Sequence, residues 1–405
     1  MKEPTEDIKS PKPIEKIEKA FRNNESLAKT LVGYIVKFYE KLQKEWGDFK
    51  IMDFCGTHEW TITHYGLRSL MPEGLELVAG PGCPVCVTPS YYIENAIRLG
   101  FEGIVVYTYG DVFRLPSLKA VNGANSLAEA KALGAEIKIV TGIGDAISDA
   151  KSHGKESFFL GIGFETVASG YAKTLISELL PDNLKLMSLV KLTPPAMLAT
   201  VEILSREEER SVKGIVAPGH VSTIIGAKAW RGVVERHQIP VVVTGFEPID
   251  VLIAIAEILK QLLKKEAKVS IEYTRAVSWD GDLKAQEMIS KAFRVTEDGW
   301  RGIGILPESG LKVAKSYRKF DAFERYGIPE LTSKELENDL PKGCKCAEIV
   351  IGKEKPTNCP FFMKKCKPSS PIGPCMVSLE GTCAIWARFG AGGLADQIAE
   401  DLKLR

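Results

Sequence analysis

Residues 103–109 read Gly-Ile-Val-Val-Tyr-Thr-Tyr, a short apolar run closed by Gly110 and lacking in–out alternation. Such a run suits a strand buried on both faces, as in a parallel sheet covered by helices. The same texture returns at KIMDF (50–54), LELVA (75–79), EIKIVTG (136–142), FFLGIG (158–163), LMSLVKL (186–192), GIVAPG (214–219) and PVVVTGF (240–246). Helical patterns separate the runs. Thr88 with Pro89 reads as an N-cap and first-turn pair ahead of YYIENAIRLG, and Ser126 with Glu129 as a capping box ahead of AEAKALG, with Gly100 and Gly134 as stops. The fold class expected is α/β, with Rossmann-like parallel sheets.

A weak duplication runs through these strands. MDFCGTHE, LVAGPGCPVC and IVVYTYGDV in the first half correspond to FLGIGFET, IVAPGHVS and VVVTGFEPID in the second. Each is an apolar strand ending in a glycine turn with polar or thiol residues, the place where open α/β sheets put ligands. This predicts two α/β domains, residues 25–150 and 151–275, facing across a cleft. A polar arm, residues 1–24, precedes them and leads into an amphipathic helix through Leu27, Leu31, Ile35 and Tyr39. After about residue 276 strand-like runs thin out and Gly, Pro and Cys rise, so residues 276–405 are expected to form a loop-rich third domain held by a cofactor.

Composition narrows the function. Lys+Arg 53 against Asp+Glu 52 leaves a net charge of +1, too little for a general nucleic-acid coat. The most apolar stretch, VLIAIAEILKQLL from Val251, is interrupted by Glu257 and Lys260 and reads as a core helix, not a membrane span. The N-terminus has no apolar stretch of signal-peptide length, so a cytoplasmic location is expected. In that compartment nine cysteines are metal ligands or redox centres before they are structural disulfides.

Those cysteines fall into two groups. Cys344, Cys359, Cys366 and Cys383 give C-x14-C-x6-C-x16-C, leaving Cys346 and Cys375 over. Four thiolates suit an iron–sulfur cluster or zinc; the absence of paired C-x2-C knuckles in this region favours the cluster. Spacing does not choose between Cys344 and Cys346 as ligand. The two remaining thiols are placed to cycle between dithiol and disulfide. In the first quarter, Cys55-Gly-Thr-His58 ends one strand, and Cys83-Pro-Val-Cys86 follows another and precedes a helix whose N-terminus favours thiolate. Three readings stand for this trio: a structural Cys3His zinc site, a Cys–His nucleophile of Cys55 with His58 or His220, and a thiol site for a soft low-valent metal with Cys83 and Cys86 as redox partners. Glu165, His220 and the Gly245-Phe246-Glu247-Pro248 turn supply the opposite cleft wall. No GxxxxGK[ST] or GxGxxG pattern is present.

Taken in order, DFCGTHE, GPGCPVC, GFET, PGHVS, GFEP, the C-x-C pair at 344–346, NCP, GPCMVS and EGTCAIW resemble the HypD family of hydrogenase maturation factors, from about residue 25 to the end. The resemblance implies a scaffold on which the Fe(CN)2CO unit of [NiFe]-hydrogenase is assembled, with HypC as iron-sharing chaperone and HypE as cyanide donor. It implies that Cys55 anchors the iron and that Cys83 and Cys86 are a redox pair beside it; His58, Glu165 and His220, at the strand ends, are expected in the same site. In the C-terminal domain it implies a [4Fe–4S] cluster on Cys344, Cys359, Cys366 and Cys383, with Cys346 and Cys375 as a disulfide against it. The chain is expected to be monomeric alone and to act without nucleic acid or membrane. A freestanding thiol-disulfide oxidoreductase carrying an iron–sulfur cluster is the alternative.

Overall fold

A computed structural model describes residues 24–206, 211–337 and 339–390. The expected polar arm lies outside the described residues except for Asn24, whose side chain caps the first helix by accepting from Leu27 N at 3.0 Å.

In chain order the main elements are α1 (Glu25–Trp46), β1 (Phe49–Asp53), α2 (Gly56–His64), β2 (Leu75–Ala79), α3 (Ser90–Phe101), β3 (Val105–Thr108), α4 (Leu127–Ala132), β4 (Ile137–Ile139), α5 (Ile143–His153), β5 (Ser157–Gly163), α6 (Glu165–Ile176), β6 (Leu184–Lys191) and α7 (Thr193–Ser205). There follow β7 (Val212–Pro218), α8 (Gly219–Ile225), α9 (Arg231–His237), β8 (Val241–Thr244), α10 (Pro248–Lys264), β9 (Val269–Ile271), α11 (Leu283–Ala292), β10 (Phe293–Trp300) and β11 (Gly304–Val313). The C-terminal region holds short helices, among them α12 (Cys346–Val350) and α13 (Thr382–Phe389).

Among the described residues eleven strands form two sheets. One is wholly parallel, in the order β2-β1-β7-β8-β9. The other runs β10-β11-β6-β5-β3-β4, parallel through its last four strands and antiparallel where β11 meets β6 and β10. Successive side chains of a strand point to opposite faces, and here both faces are covered. Thus Ile51, Val216 and Val242 pack under α1 and α10, while their neighbours Met52, Ile215 and Val243 enter a central core. In the second sheet Val105, Tyr107 and Phe159 pack outward beneath α5 and α6, and Val106, Phe158 and Leu160 enter the same central core. That is why the strands read as unbroken apolar runs.

The domain boundaries differ from those expected. β1 and β2 belong with β7, β8 and β9, and β3 and β4 belong with β5 and β6, so the chain crosses between sheets instead of finishing one before starting the next. The cut at 150/151 therefore divides both sheets. The cut at 275/276 fails as well, because β10 and β11 complete the second sheet. These two strands escape a search for apolar runs because FRVTEDGW has a solvent-facing half. Helix α10 is the core helix expected, opened by Pro248 and a capping box of Glu247 and Asp250, with Ile255, Ile258 and Leu259 fully buried. Each such side chain contributes about 1.5–3 kcal/mol of burial.

Of the two predicted caps, Ser126 does accept from Glu129 N, at 3.2 Å. Thr88 does not cap α3. Its hydroxyl donates back to Pro84 O, and the free N–H of Ser90 goes to Asp339 at 3.0 Å, a partner 249 residues away.

Candidate functional site

The site is built where β1, the 80–86 loop and β7 end side by side. Cys55, extended at φ −155°, leads from β1 into α2, so the N–H groups of Thr57 and His58 reach its sulfur. Burial dominates, pushing the thiol up to about 12, so it holds its proton at neutral pH. Three backbones converge here. A Cβ on Gly82 would stand 2.5 Å from Cys55 Cα, and one on Gly56 would stand 2.5 Å from the carbonyl oxygen of Glu380. Glycine is therefore required at both positions for close approach.

His220, opening α8, places Nδ1 3.7 Å from Cys55 Sγ. Burial lowers its basicity, with the charges of Glu380 and Glu165 opposing. Of the two histidines expected to partner Cys55, only this one does. His58 turns away, its Nε2 bonded to Gly245 O at 2.9 Å and its ring stacked on Phe246 at 4.9 Å between centroids. Burial drops its pKa to about 3, so it stays neutral, and donation to a carbonyl makes Nε2 the protonated nitrogen. Its Nδ1 is buried without a partner. Phe246 also lies against the His220 ring, at 5.5 Å.

Cys83 and Cys86 are joined as a disulfide with Cα atoms 5.3 Å apart. The helix expected to begin beside them starts at Ser90, so its N-terminus does not act on these sulfurs. Glu165 is buried in structural bonds: Thr193 N and Oγ1 donate to Oε1 at 2.6 and 3.1 Å, holding the start of α7 against α6. Burial raises its carboxyl to about 7, against those hydrogen bonds and the charge of His220.

The loops after β3, β4 and β5, where successive crossovers leave in opposite directions, wall a cleft of about 710 Å³ together with Pro84, Val85, His220 and Glu380. This is the topological switch point at which α/β sheets accept ligands. Cys55 lies behind His220, in a small cavity of about 10 Å³ shared with Asp53, Cys83, Cys86, Cys375 and Glu380.

Sequence reading missed the acidic residues of this layer, although Asp53, Glu59 and Glu380 stand inside the quoted motifs. Both carboxylate oxygens of Asp53 are buried without a hydrogen-bond partner, and burial, then the nearby Glu59, push that carboxyl well up. Glu59 accepts from Arg68 at 2.5 Å and from Trp386 Nε1 at 2.6 Å, fastening α13 to α2. A charged residue beside a strand end was the available signal; its partner 327 residues on was not.

The six C-terminal cysteines converge without a strand among them. Cys346 is the hub: the neighbouring thiols of Cys344 and Cys375 push its own thiol up, with that of Cys383 opposing. Cys366 Sγ accepts from Ile372 N at 3.2 Å and is influenced by Cys344 and Cys359. Gly373 makes room, since a Cβ there would stand 2.5 Å from Cys346 Sγ and 2.8 Å from Cys344 Sγ. The hydrogen bond from Cys346 lowers the Cys344 thiol to about 7. All six are free thiols, so the Cys346–Cys375 disulfide that the resemblance implied is not formed in this structure. The soft donor set suits an iron–sulfur cluster in chemistry; among the described residues no three such side chains are already spread into a metal cage.

With a buried free thiol facing an imidazole at the cleft wall, sharing a small cavity with a disulfide and one of the C-terminal thiols, the molecule is of the class of α/β proteins built around cysteine chemistry. The chain belongs to the HypD family: the family model, described as hydrogenase formation hypA family, matches residues 28–390. A hydrogenase expression/formation protein of Methanocaldococcus jannaschii is 41% identical over 91% of this chain and 98% of its own length. The hydrogenase maturation factor HypD of Cupriavidus necator is 38% identical over 84% and 90%, and that of Escherichia coli 34% identical over 84% and 89%. Among the described residues no helix is long and apolar enough to cross a membrane.

Proposed function

We propose that this chain is a cytoplasmic hydrogenase maturation factor on which the Fe(CN)2CO unit is assembled, acting with HypC as iron-sharing chaperone and HypE as cyanide donor. The observation that carries the reading is Cys55: it is the one cysteine of the first quarter outside the Cys83–Cys86 disulfide, and it faces His220 Nδ1 at 3.7 Å. Low-spin iron carrying cyanide and CO is a soft substrate, for which thiolate is a fitting ligand. The Cys55 thiol must lose its proton as the iron arrives. His220 is the base in reach, and the charge of Glu380, which lines the cleft beside it, favours the imidazolium that results. His58, held neutral and bonded to Gly245, orients the site instead of exchanging protons.

Cys344, Cys359, Cys366 and Cys383 would hold a [4Fe–4S] cluster, leaving Cys346 and Cys375 as a redox pair. Such a cluster supplies electrons one at a time. Opening the Cys83–Cys86 disulfide consumes two electrons and two protons and yields two thiols. Cys86 and Cys375 line the same small cavity, which places the first-quarter disulfide next to the C-terminal thiols.

Infrared spectra of the protein purified anaerobically with HypC test the reading. Cyanide and CO stretching bands are expected, and Cys55→Ala abolishes them; bands that survive that substitution reject Cys55 as the anchor. The Cys83–Cys86 disulfide also supports a second reading, a freestanding thiol-disulfide oxidoreductase. Turnover of a disulfide protein substrate without any partner would favour it.

A further inference from the structure

We infer that the loop 244–247 is a gauge that sets the separation of Cys55 from His220, with Phe246 as its spacer and Glu272 as its anchor; the inference rests on the reading of Cys55 and His220 as the iron-holding pair. The loop is fixed from behind. Glu272 Oε2 accepts from Thr244 Oγ1 at 2.8 Å and from Gly245 N at 3.0 Å. Arg275 bridges Glu272, at 3.7 Å, and Asp250, whose Oδ2 accepts from Glu247 N at 3.2 Å.

From the front the loop grips α2, the helix that Cys55 introduces. Gly245 O accepts from His58 Nε2 at 2.9 Å and Phe246 O from Thr61 Oγ1 at 2.6 Å. The Phe246 ring then fills the space against both imidazoles, 4.9 Å from His58 and 5.5 Å from His220. One rigid loop thus touches the helix behind the thiol and the side chain in front of it. Gly245 lets the anchor sit close, because a Cβ there would run into the carboxylate of Asp250 and stand 2.6 Å from Arg275 Nη2, displacing that ion pair.

The arrangement also selects one form of His58. A carbonyl at Nε2 demands a proton there and leaves Nδ1 bare, and that Nδ1 has no partner to argue for the other tautomer. Removing the anchor frees Gly245 to rotate its carbonyl and lets His58 sample both forms. Phe246 and Glu272 are positioning residues; neither is assigned a contact with the iron unit.

The test uses the full chain with ¹⁵N-labelled histidine. Long-range proton–nitrogen spectra of the wild type are expected to show His58 as a single Nε2–H tautomer. In Glu272→Ala it becomes a mixture, and the cyanide bands of the HypC complex broaden or split while iron content stays within about twofold. Glu272→Gln, which keeps one acceptor oxygen for Thr244 and Gly245, restores both signatures. Phe246→Leu keeps the tautomer but broadens the bands. A single unshifted tautomer with wild-type band widths in Glu272→Ala overturns the inference. Should Glu272→Ala lose its dispersed amide spectrum, Phe246→Leu decides: wild-type band widths there overturn it. Absence of cyanide and CO bands from the wild type sinks the iron-holding reading, and the tautomer measurement still shows whether Glu272 fixes His58.

Discussion

At Gly82 the space for one methyl group does not exist: its Cβ would lie 2.5 Å from Cys55 Cα, and backbone atoms on both sides leave nothing flexible to yield. Gly82→Ala is expected to cost about 1–3 kcal/mol in urea denaturation, the range for overpacking, and to displace the loop that carries Cys83. Glu165 gives a pH signature. Its folded pKa of about 7 lies above the ordinary glutamate value of 4.5, so the folded state binds the extra proton more tightly. The stability this contributes is complete below about pH 4.5 and is lost as pH rises through about 7, amounting to about 3 kcal/mol. Glu165→Gln, permanently neutral, should flatten that part of the stability profile relative to wild type. Identical pH slopes in the two proteins would show that Glu165 is not the titrating group. Sequence reading placed Glu165 in the cleft wall because it follows a glycine turn. It could not see Thr193, which takes up the carboxylate.

Among elements, the antiparallel extension of the second sheet depends on a buried ion pair. Lys191 at the end of β6 meets Asp298 of β10 at 2.8 Å with both side chains essentially out of water, and Tyr92 of α3 donates to the same carboxylate at 3.0 Å. Burial pushes the Asp298 carboxyl up, but the charges of Lys191 and Lys312 and the hydrogen bonds more than reverse this, so it sits below the ordinary range. Its contribution is present above the unfolded carboxyl pKa and is lost as pH falls through the folded one. Lys191→Met leaves a buried charge poorly compensated and should destabilise by about 3–5 kcal/mol in chemical denaturation. Asp298→Asn added to it should recover part of that loss. A wild-type midpoint in Lys191→Met would mean the pair is energetically idle. Neither residue stood out in the sequence, since a lysine ending an apolar strand looks like a solvent boundary until β11 arrives from more than a hundred residues away to cover it.

For the whole molecule, the decisive fact is that both sheets contribute inner faces to one core, into which Cys346, Cys375 and Cys383 also pack. A chain so interleaved should unfold as one unit. Residues 25–150 expressed alone hold β1 and β2 of one sheet and β3 and β4 of the other, and are expected to remain unfolded by circular dichroism. A cooperative thermal transition from that fragment would overturn the shared-core account. Limited proteolysis of the full chain should likewise release no stable piece ending near 150 or 275.

What the amino-acid sequence determined by itself was local: unbroken apolar runs gave buried parallel strands, glycine turns at their ends located the candidate site, and the order of the cysteine motifs pointed to the family. Those features depend on neighbours within a few residues, where period and backbone freedom are legible. Only the tertiary structure decided which strands share a sheet, that His220 and not His58 faces Cys55, and that Glu59 ties α13 to the site helix. The deciding contacts, β1 with β7, β11 with β6, Cys55 with His220 and Glu59 with Trp386, join residues more than a hundred positions apart, and hydrophobic burial, which drives the packing of strands, is non-directional: it demands that they be covered without specifying by which partner.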